Sequence, residues 1–187
     1  MKKRLLLLIL LLTGCAKLMP PTQLAVPQTI EYNNKTYHLI SQNDLGSMAR
    51  YFYVGQGKST NNWDTAVELL LDRNQQRSFA ERIALRKKAY ANQSIADFGT
   101  YEQQGFLYNY VIYSPTQQNP NWQIDIAKGK NVEHCGFIQY QYSLKLEKTQ
   151  KLHNMTEQKL RSYFKKYAVD KELRHLQALP WQWKCQA

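Results

Sequence analysis

The stretch CGFIQYQYSLKLEK, residues 135–148, constrains the fold more than any other part of this chain. Ile138, Tyr140, Tyr142, Leu144 and Leu146 alternate with Gln139, Gln141, Ser143 and Lys145. Successive side chains of an extended backbone point to opposite sides, so the pattern gives a strand with one apolar and one polar face. On a helix the same residues would scatter around the circumference and leave no apolar stripe. Such a strand needs a sheet around it. One face of that sheet is core, and the other meets solvent or a partner.

The rest of the chain supplies the neighbours. Ile30 and Tyr32, a turn at Asn33-Asn34-Lys35, then Tyr37 and Leu39 predict a hairpin. Ala49 to Val54 is a β-rich run, and Trp63, Thr65, Val67, Leu69 and Leu71 alternate after it. Phe106 to Tyr113 predicts an aromatic-rich strand, and Trp122, Ile124 and Ile126 predict another. Two segments read as helical. Ser78-Phe79-Ala80-Glu81 is a capping box that opens a helix to about Asn92, with Phe79, Ile83 and Tyr90 inward and Arg82, Arg86 and Lys88 outward. A second helix starts near Asn154 or Thr156 and carries Leu160, Tyr163, Phe164 and Tyr167. Its apolar phase breaks near Asp170, where a short third helix with Leu173 and Leu176 begins; Pro180 ends it. The order predicts a single α+β domain over residues 29–187: a mostly antiparallel sheet with two or three helices packed on it.

The N-terminus, MKKRLLLLILLLTGCAK, has a different character. Lys2, Lys3 and Arg4 precede an unbroken apolar run, Leu5 to Leu12, that is too short for a bilayer-spanning helix of about 20 residues. It fits the apolar core of an export signal. The LTGC ending at Cys15 resembles the lipobox of bacterial lipoproteins. That resemblance implies a signal peptide over residues 1–14, cleavage before Cys15 and acylation of its thiol. Stable membrane anchoring takes two lipid signals, and the family's cysteine carries three acyl chains. Ala16 stands where the family's inner-membrane retention signal has Asp, which implies an outer-membrane destination and, on this reading, a domain facing the periplasm. Residues 15–28, with Pro20, Pro21 and Pro27, read as the lipidated cysteine and an extended tether.

Export also explains the other cysteines. Cys135 and Cys185 form an even pair in an oxidising compartment, and a bridge between them would pin a tail that otherwise frays. The alternative, a nucleophilic Cys135 beside His134, suffers because adjacent strand residues point apart. Charge is informative in sign: 25 basic and 14 acidic residues give +11, or about +8 without Lys2, Lys3 and Arg4. A basic envelope domain suits anionic lipid, polymer or an acidic protein, and leaves nucleic acid open as a partner.

Chemical motifs are scarce. GQGKST at residues 55–60 imitates a phosphate loop, but a P-loop requires glycine at position 52, which is Phe52. The segment reads as a turn after a strand, which argues against a nucleotide. His38, His134, His153 and His175 show no ligand spacing, so neither a metal nor a cofactor is expected. No GxSxG elbow occurs, and no catalytic residue is assigned. Asp64, Glu68, Asp97, Asp125 and Glu133 remain the carboxylates from which a fold-assembled acid–base pair would have to come.

Two candidate binding surfaces remain. One is basic: Arg82, Arg86, Lys87 and Lys88 on the first helix, with Lys159, Arg161, Lys165 and Lys166 on the second, merging if both helices share a face of the sheet. The other is aromatic, in a chain with thirteen tyrosines and four tryptophans; Trp181 and Trp183 near the bridge are its candidates, with core closure as the plainer role. The expectation is a membrane-anchored envelope lipoprotein, a non-catalytic binding or assembly accessory for a protein or an envelope polymer. The alternatives are an inhibitor or immunity-type lipoprotein that blocks an envelope toxin or hydrolase, and a glycan-directed hydrolase.

Overall fold

The computed structural model describes residues 22–91, 93, 95–147, 152 and 154–186. The predicted strand segments, joined by β5, which the sequence reading did not assign, make eight strands: β1 (Thr29–Tyr32), β2 (Lys35–Asp44), β3 (Met48–Gly55), β4 (Thr65–Asp72), β5 (Ile95–Gln103), β6 (Phe106–Tyr113), β7 (Trp122–Val132) and β8 (Gly136–Leu146). They form one antiparallel sheet in the order β1-β2-β3-β4-β8-β7-β6-β5. The 135–148 pattern therefore belongs to the strand at the sheet's centre, between β4 and β7.

The sheet is curled into a half-barrel. Adjacent strands lie about 4.8 Å apart, so a flat sheet would hold β1 roughly 19 Å from β8. Yet the ring of Tyr32 on β1 lies 4.7 Å from Tyr142 and 5.8 Å from Tyr140, both on β8. Only curling brings them together. Bulges between Leu39 and Ser41 and between Ile95 and Asp97 accompany this curvature.

This corrects the expected α+β arrangement. The fold is sheet-dominated, with two helical stretches among the described residues. The reason is that the sheet wraps its apolar face around itself, so strand meets strand across the hollow and the helices need only close what remains open. Nor do the helices share a layer. Helix α1 (Phe79–Ala91) lies on the convex face, where Phe79 meets Phe137 and Tyr90 meets Phe98. Helix α2 (Glu157–Phe164), a π-helical turn (Lys165–Val169) and α3 (Asp170–Ala178) run continuously on the concave side. Their buried residues step 160, 164, 169, 173, 176, and the five-residue step crosses the π turn. The phase break in the sequence is thus a local widening inside one helix, with no cap at Asp170.

Capping chemistry follows expectation at both helix starts. The Glu81 carboxylate accepts from the Ser78 N–H at 2.7 Å, and the Thr156 hydroxyl accepts from the Lys159 N–H at 3.4 Å.

The concave core is tyrosine-rich: Tyr37, Tyr53 and Tyr140 are fully buried beside Leu69, Ile124 and Ile126. Two polar groups fasten the helical lid. Buried Glu172 on α3 accepts from the Tyr32 hydroxyl and the Asn33 amide, both at 2.9 Å. Buried Lys128 on β7 donates to the Leu179 carbonyl at 2.8 Å, satisfying the carbonyl end of α3.

Both chain ends close the structure. Cys135 and Cys185 are disulfide-bonded with their Cα atoms 5.7 Å apart, and Cys185 pairs with Leu24 in an isolated bridge. Leu24 is buried, and the Pro27 carbonyl accepts from Tyr53. The described part of the expected tether, residues 22–28, is therefore docked on the domain. Cys15 and the signal segment lie outside the described residues.

Candidate functional site

The two sides of the sheet differ in chemistry. Outward positions on the convex face read Arg50 on β3, Glu68, Leu70 and Asp72 on β4, Phe137, Gln139, Gln141, Ser143 and Lys145 on β8, Gln123 and Asp125 on β7 and Asn109 on β6. Helix α1 crosses part of this face. The rest is a polar floor.

Three arginines and one acid organise the covered part. Asp72 receives Arg77 at 3.0 Å and, more closely, Arg82. Arg82 is 2 % exposed, which overturns its expected outward orientation. A buried guanidinium must be paired, and its partner comes from a strand ten residues back. Arg86 also turns toward the sheet, donating to the Gln139 side chain at 2.7 Å; among the described residues it has no carboxylate partner. Burial holds both guanidiniums below the ordinary arginine value, opposed for Arg82 by Asp72. Arg82 and Arg86 lie over the Phe137 ring, 4.5 and 5.3 Å from its centroid. Gly129 makes room for that ring, since a Cβ there would sit 2.4 Å from Phe137 Cζ and 2.8 Å from the Ile138 carbonyl oxygen.

The part that α1 does not cross is still largely buried, and begins with the Arg50–Glu68 ion pair. A side-chain chain follows, Gln139 donating to Gln141 at 3.3 Å and Gln141 to Ser143 at 3.1 Å. Beside it Gln123 donates to Asp125 at 3.0 Å. Burial pushes the Asp125 carboxyl up to about 6, against the hydrogen bonds from Gln123 and Ser143, with Glu68 adding a smaller upward push. Lys145 lies 4.0 Å over the Trp63 ring, which meets Phe52 edge-on. Amides, charges and aromatic rims on a pleated surface suit a polar or charged partner.

The sequence-predicted surfaces fare unevenly. Lys87 and Lys88 are exposed on α1, while Lys159, Arg161, Lys165 and Lys166 lie on α2 and the π turn across the sheet. The two basic clusters therefore do not merge. Trp183 stacks on Tyr140 at 5.7 Å and Trp181 packs on Phe106 at 5.5 Å, so both close the core. Of the five carboxylates, Asp64 pairs with exposed Lys58, Asp97 accepts from Tyr110 and Glu133 sits at an exposed turn with His134. Only Glu68 and Asp125 share the convex face. Among the described residues no group of three His, Cys, Asp or Glu is placed to hold a metal ion, and no helix is long and apolar enough to cross a membrane. Sequence reading missed Gln139, Asn109 and Asp72, whose polar character on an outward face signals only solvent until α1 is seen to cover them.

Fold and site together define a curled antiparallel half-barrel, roofed outside by one helix over a polar, arginine-containing face and closed inside by a π-interrupted helix. The chain belongs to the uncharacterised family whose model matches residues 24–181, a span that takes in every strand and helix described above. A Haemophilus influenzae protein, described as an uncharacterized protein, is 41% identical over 184 residues, covering 95% of this chain and 94% of that one. No solved structure matches.

Proposed function

We propose that this protein is a lipoprotein of the bacterial outer membrane, acylated at Cys15, that holds its domain on the periplasmic side as a non-catalytic accessory and binds a protein or an envelope polymer. The reading is supported by the lipobox sequence and, in the structure, by the half of the convex face that α1 does not cross, where Arg50 is half-exposed and Glu68, Ser143 and Trp63 are buried beneath their neighbours. That surface combines the Arg50–Glu68 pair, the Gln139–Gln141–Ser143 chain and the Lys145–Trp63 contact. Arg50, half-exposed at the edge of this face, is of the residue type that anchors interfaces, and Trp63 belongs to the small cluster with Val54 and Ala66.

The test is site-specific photo-crosslinking in cells at Gln141 and Lys145, with exposed Arg174 on α3 as the comparison position. One dominant adduct from the first two positions and none from Arg174 supports the reading, and its identity separates assembly factor, inhibitor and polymer binder. Equal capture from all three positions removes the convex face from consideration. Anchoring is tested separately: Cys15→Ala should move the protein out of the acylated membrane fraction.

A further inference from the structure

A cavity of about 330 Å³ lies between α1 and the sheet, at the end where β4 leaves for the helix. Its size falls at the lower end of the range that holds small ligands. Its walls divide by chemistry. Met48, Leu70, Leu85 and Ala89 make one side apolar, and Arg77, Arg82 and Arg86 make the other cationic, with Asp72 as the single lining carboxylate. Asp72 is consumed by Arg77 and Arg82. Arg86 is left with neutral acceptors, Gln139 and the Arg82 carbonyl, and the Arg82 Nε has no partner among the described residues. Three permanent cations around one anion, part-dried by a helix, form a site short of negative charge.

Its position adds a second argument. Arg73, the residue after Asp72, donates to the Thr22 carbonyl at 2.7 Å and to the Gly46 carbonyl at 2.6 Å, and pairs with Asp44. Thr22, where the described residues begin, is therefore held at the same end of the sheet as the cavity. At the same end Leu45, 68% exposed at the β2–β3 turn, donates its N–H to Met48, a cavity wall. Leu85, another wall residue, is 49% exposed. Exposed apolar side chains beside a cluster of arginines with a net positive charge are the composition of a surface that meets a membrane interface. Thr22 is seven chain steps from Cys15, a reach of at most about 25 Å.

We propose that this cavity binds the phosphate of an anionic phospholipid from the membrane in which the protein is anchored, with Arg86 and the part-exposed Arg77 on the phosphate, Arg82 held beneath them by Asp72 and the Asn74 carbonyl, and Leu70 and Leu85 against the glycerol and first acyl carbons. The orientation rests on the acylation of Cys15; the charge deficit does not. The bound head group would fix the domain's tilt and leave the part of the convex face that α1 does not cross free for the partner.

The experiment is native mass spectrometry of the full mature chain released from neutral detergent micelles, with phosphatidylglycerol and phosphatidylethanolamine added at equal concentration. One phosphatidylglycerol should be retained with at least tenfold preference. That preference should vanish in Arg86→Gln and in Leu85→Asp, and persist in Arg174→Gln on the far side. Leu85→Asp changes an exposed position, so it remains informative if Arg86→Gln melts early. Equal retention of the two lipids, retention unaffected by both cavity variants, equally tight binding of inorganic phosphate alone, or an acidic peptide in place of lipid each overturns the proposal. The denatured mass of the same sample reports acylation of Cys15, so an unacylated chain that still selects phosphatidylglycerol breaks only the anchoring, and an acylated chain that selects nothing breaks only the site.

Discussion

The concave and convex faces of this sheet are made by the same strands, residue by alternate residue, yet they are held by different physics. Inside, Tyr32, Tyr140, Tyr142 and Trp183 fit one another's rings, and stability comes from area removed from water and from close packing. Outside, Arg82, Asp72, Arg86 and Gln139 hold one another by charge and hydrogen bonds beneath a single helix. Among the described residues the inner face leaves neutral donors without a partner, the Tyr140 hydroxyl and the Trp122 indole N–H. The outer face leaves charge uncompensated. Among the described residues it carries an arginine with no carboxylate partner and a carboxyl that burial keeps from ionising easily. Incompleteness of this kind is the structural mark of a surface meant to be finished by something else.

Variants on the two faces should therefore fail differently. The largest loss is expected inside. Tyr140→Ala opens a cavity between Tyr32 and Trp183 and should cost roughly 3–5 kcal/mol in denaturant unfolding at any pH or salt. On the outer face Asp72→Asn leaves Arg82 buried without its anion and should cost about 3–4 kcal/mol, with part of the loss recovered by added phosphate or sulfate, which cannot rescue Tyr140→Ala. Equal response of the two variants to anions would erase the distinction between the faces. Next comes the closure that both faces share. Replacing Cys135 and Cys185 by Ser frees a loop of 50 residues and should lower stability by about 4 kcal/mol at most in the chain-entropy picture, releasing the tail that carries Trp183. Tryptophan fluorescence would then shift red before the sheet melts.

Much of this was legible from residues alone, and what was not has identifiable causes. The period-two pattern marks β8, β4 and β6 because each has one face in the core. It fails on β5, where a bulge after Ile95 shifts the register and Gly99 has no side chain to show. The capping boxes are local chemistry and are read directly. The inward turn of Arg82 is not local: its partner Asp72 becomes visible only when β4 and α1 are docked. The same limit governs the architecture. Alternation tells that a strand has two faces but carries no measure of curl, so helices are assigned to cover a sheet that in fact covers itself. For the site, sequence reading finds Arg82 and Arg86 as cations and misses that they turn inward over Phe137, Arg82 fully buried and Arg86 partly, a placement that Gly129 permits.

Asp125 gives the most selective comparison, because its cost should appear only as pH rises while the inner face stays constant. Its folded carboxyl titrates near 6 and an unconstrained aspartate near 3.8, so the folded state holds the proton more tightly. Below about pH 4 both states are protonated and nothing is lost. As pH rises through 6 the folded state must ionise a buried group, and the wild type should lose up to about 3 kcal/mol relative to its acid-side value. Asn is close in shape to the protonated acid and cannot ionise. Asp125→Asn should therefore match the wild type near pH 4 and exceed it by about 2–3 kcal/mol at pH 7.5, measured by urea unfolding at both values. A difference independent of pH would mean that Asp125 is paired with a cation in solution, and that the outer face is already balanced without a ligand. A gain that disappears when a partner or an anionic lipid is added would show the reverse: the cost of holding this carboxyl is met by what binds above it.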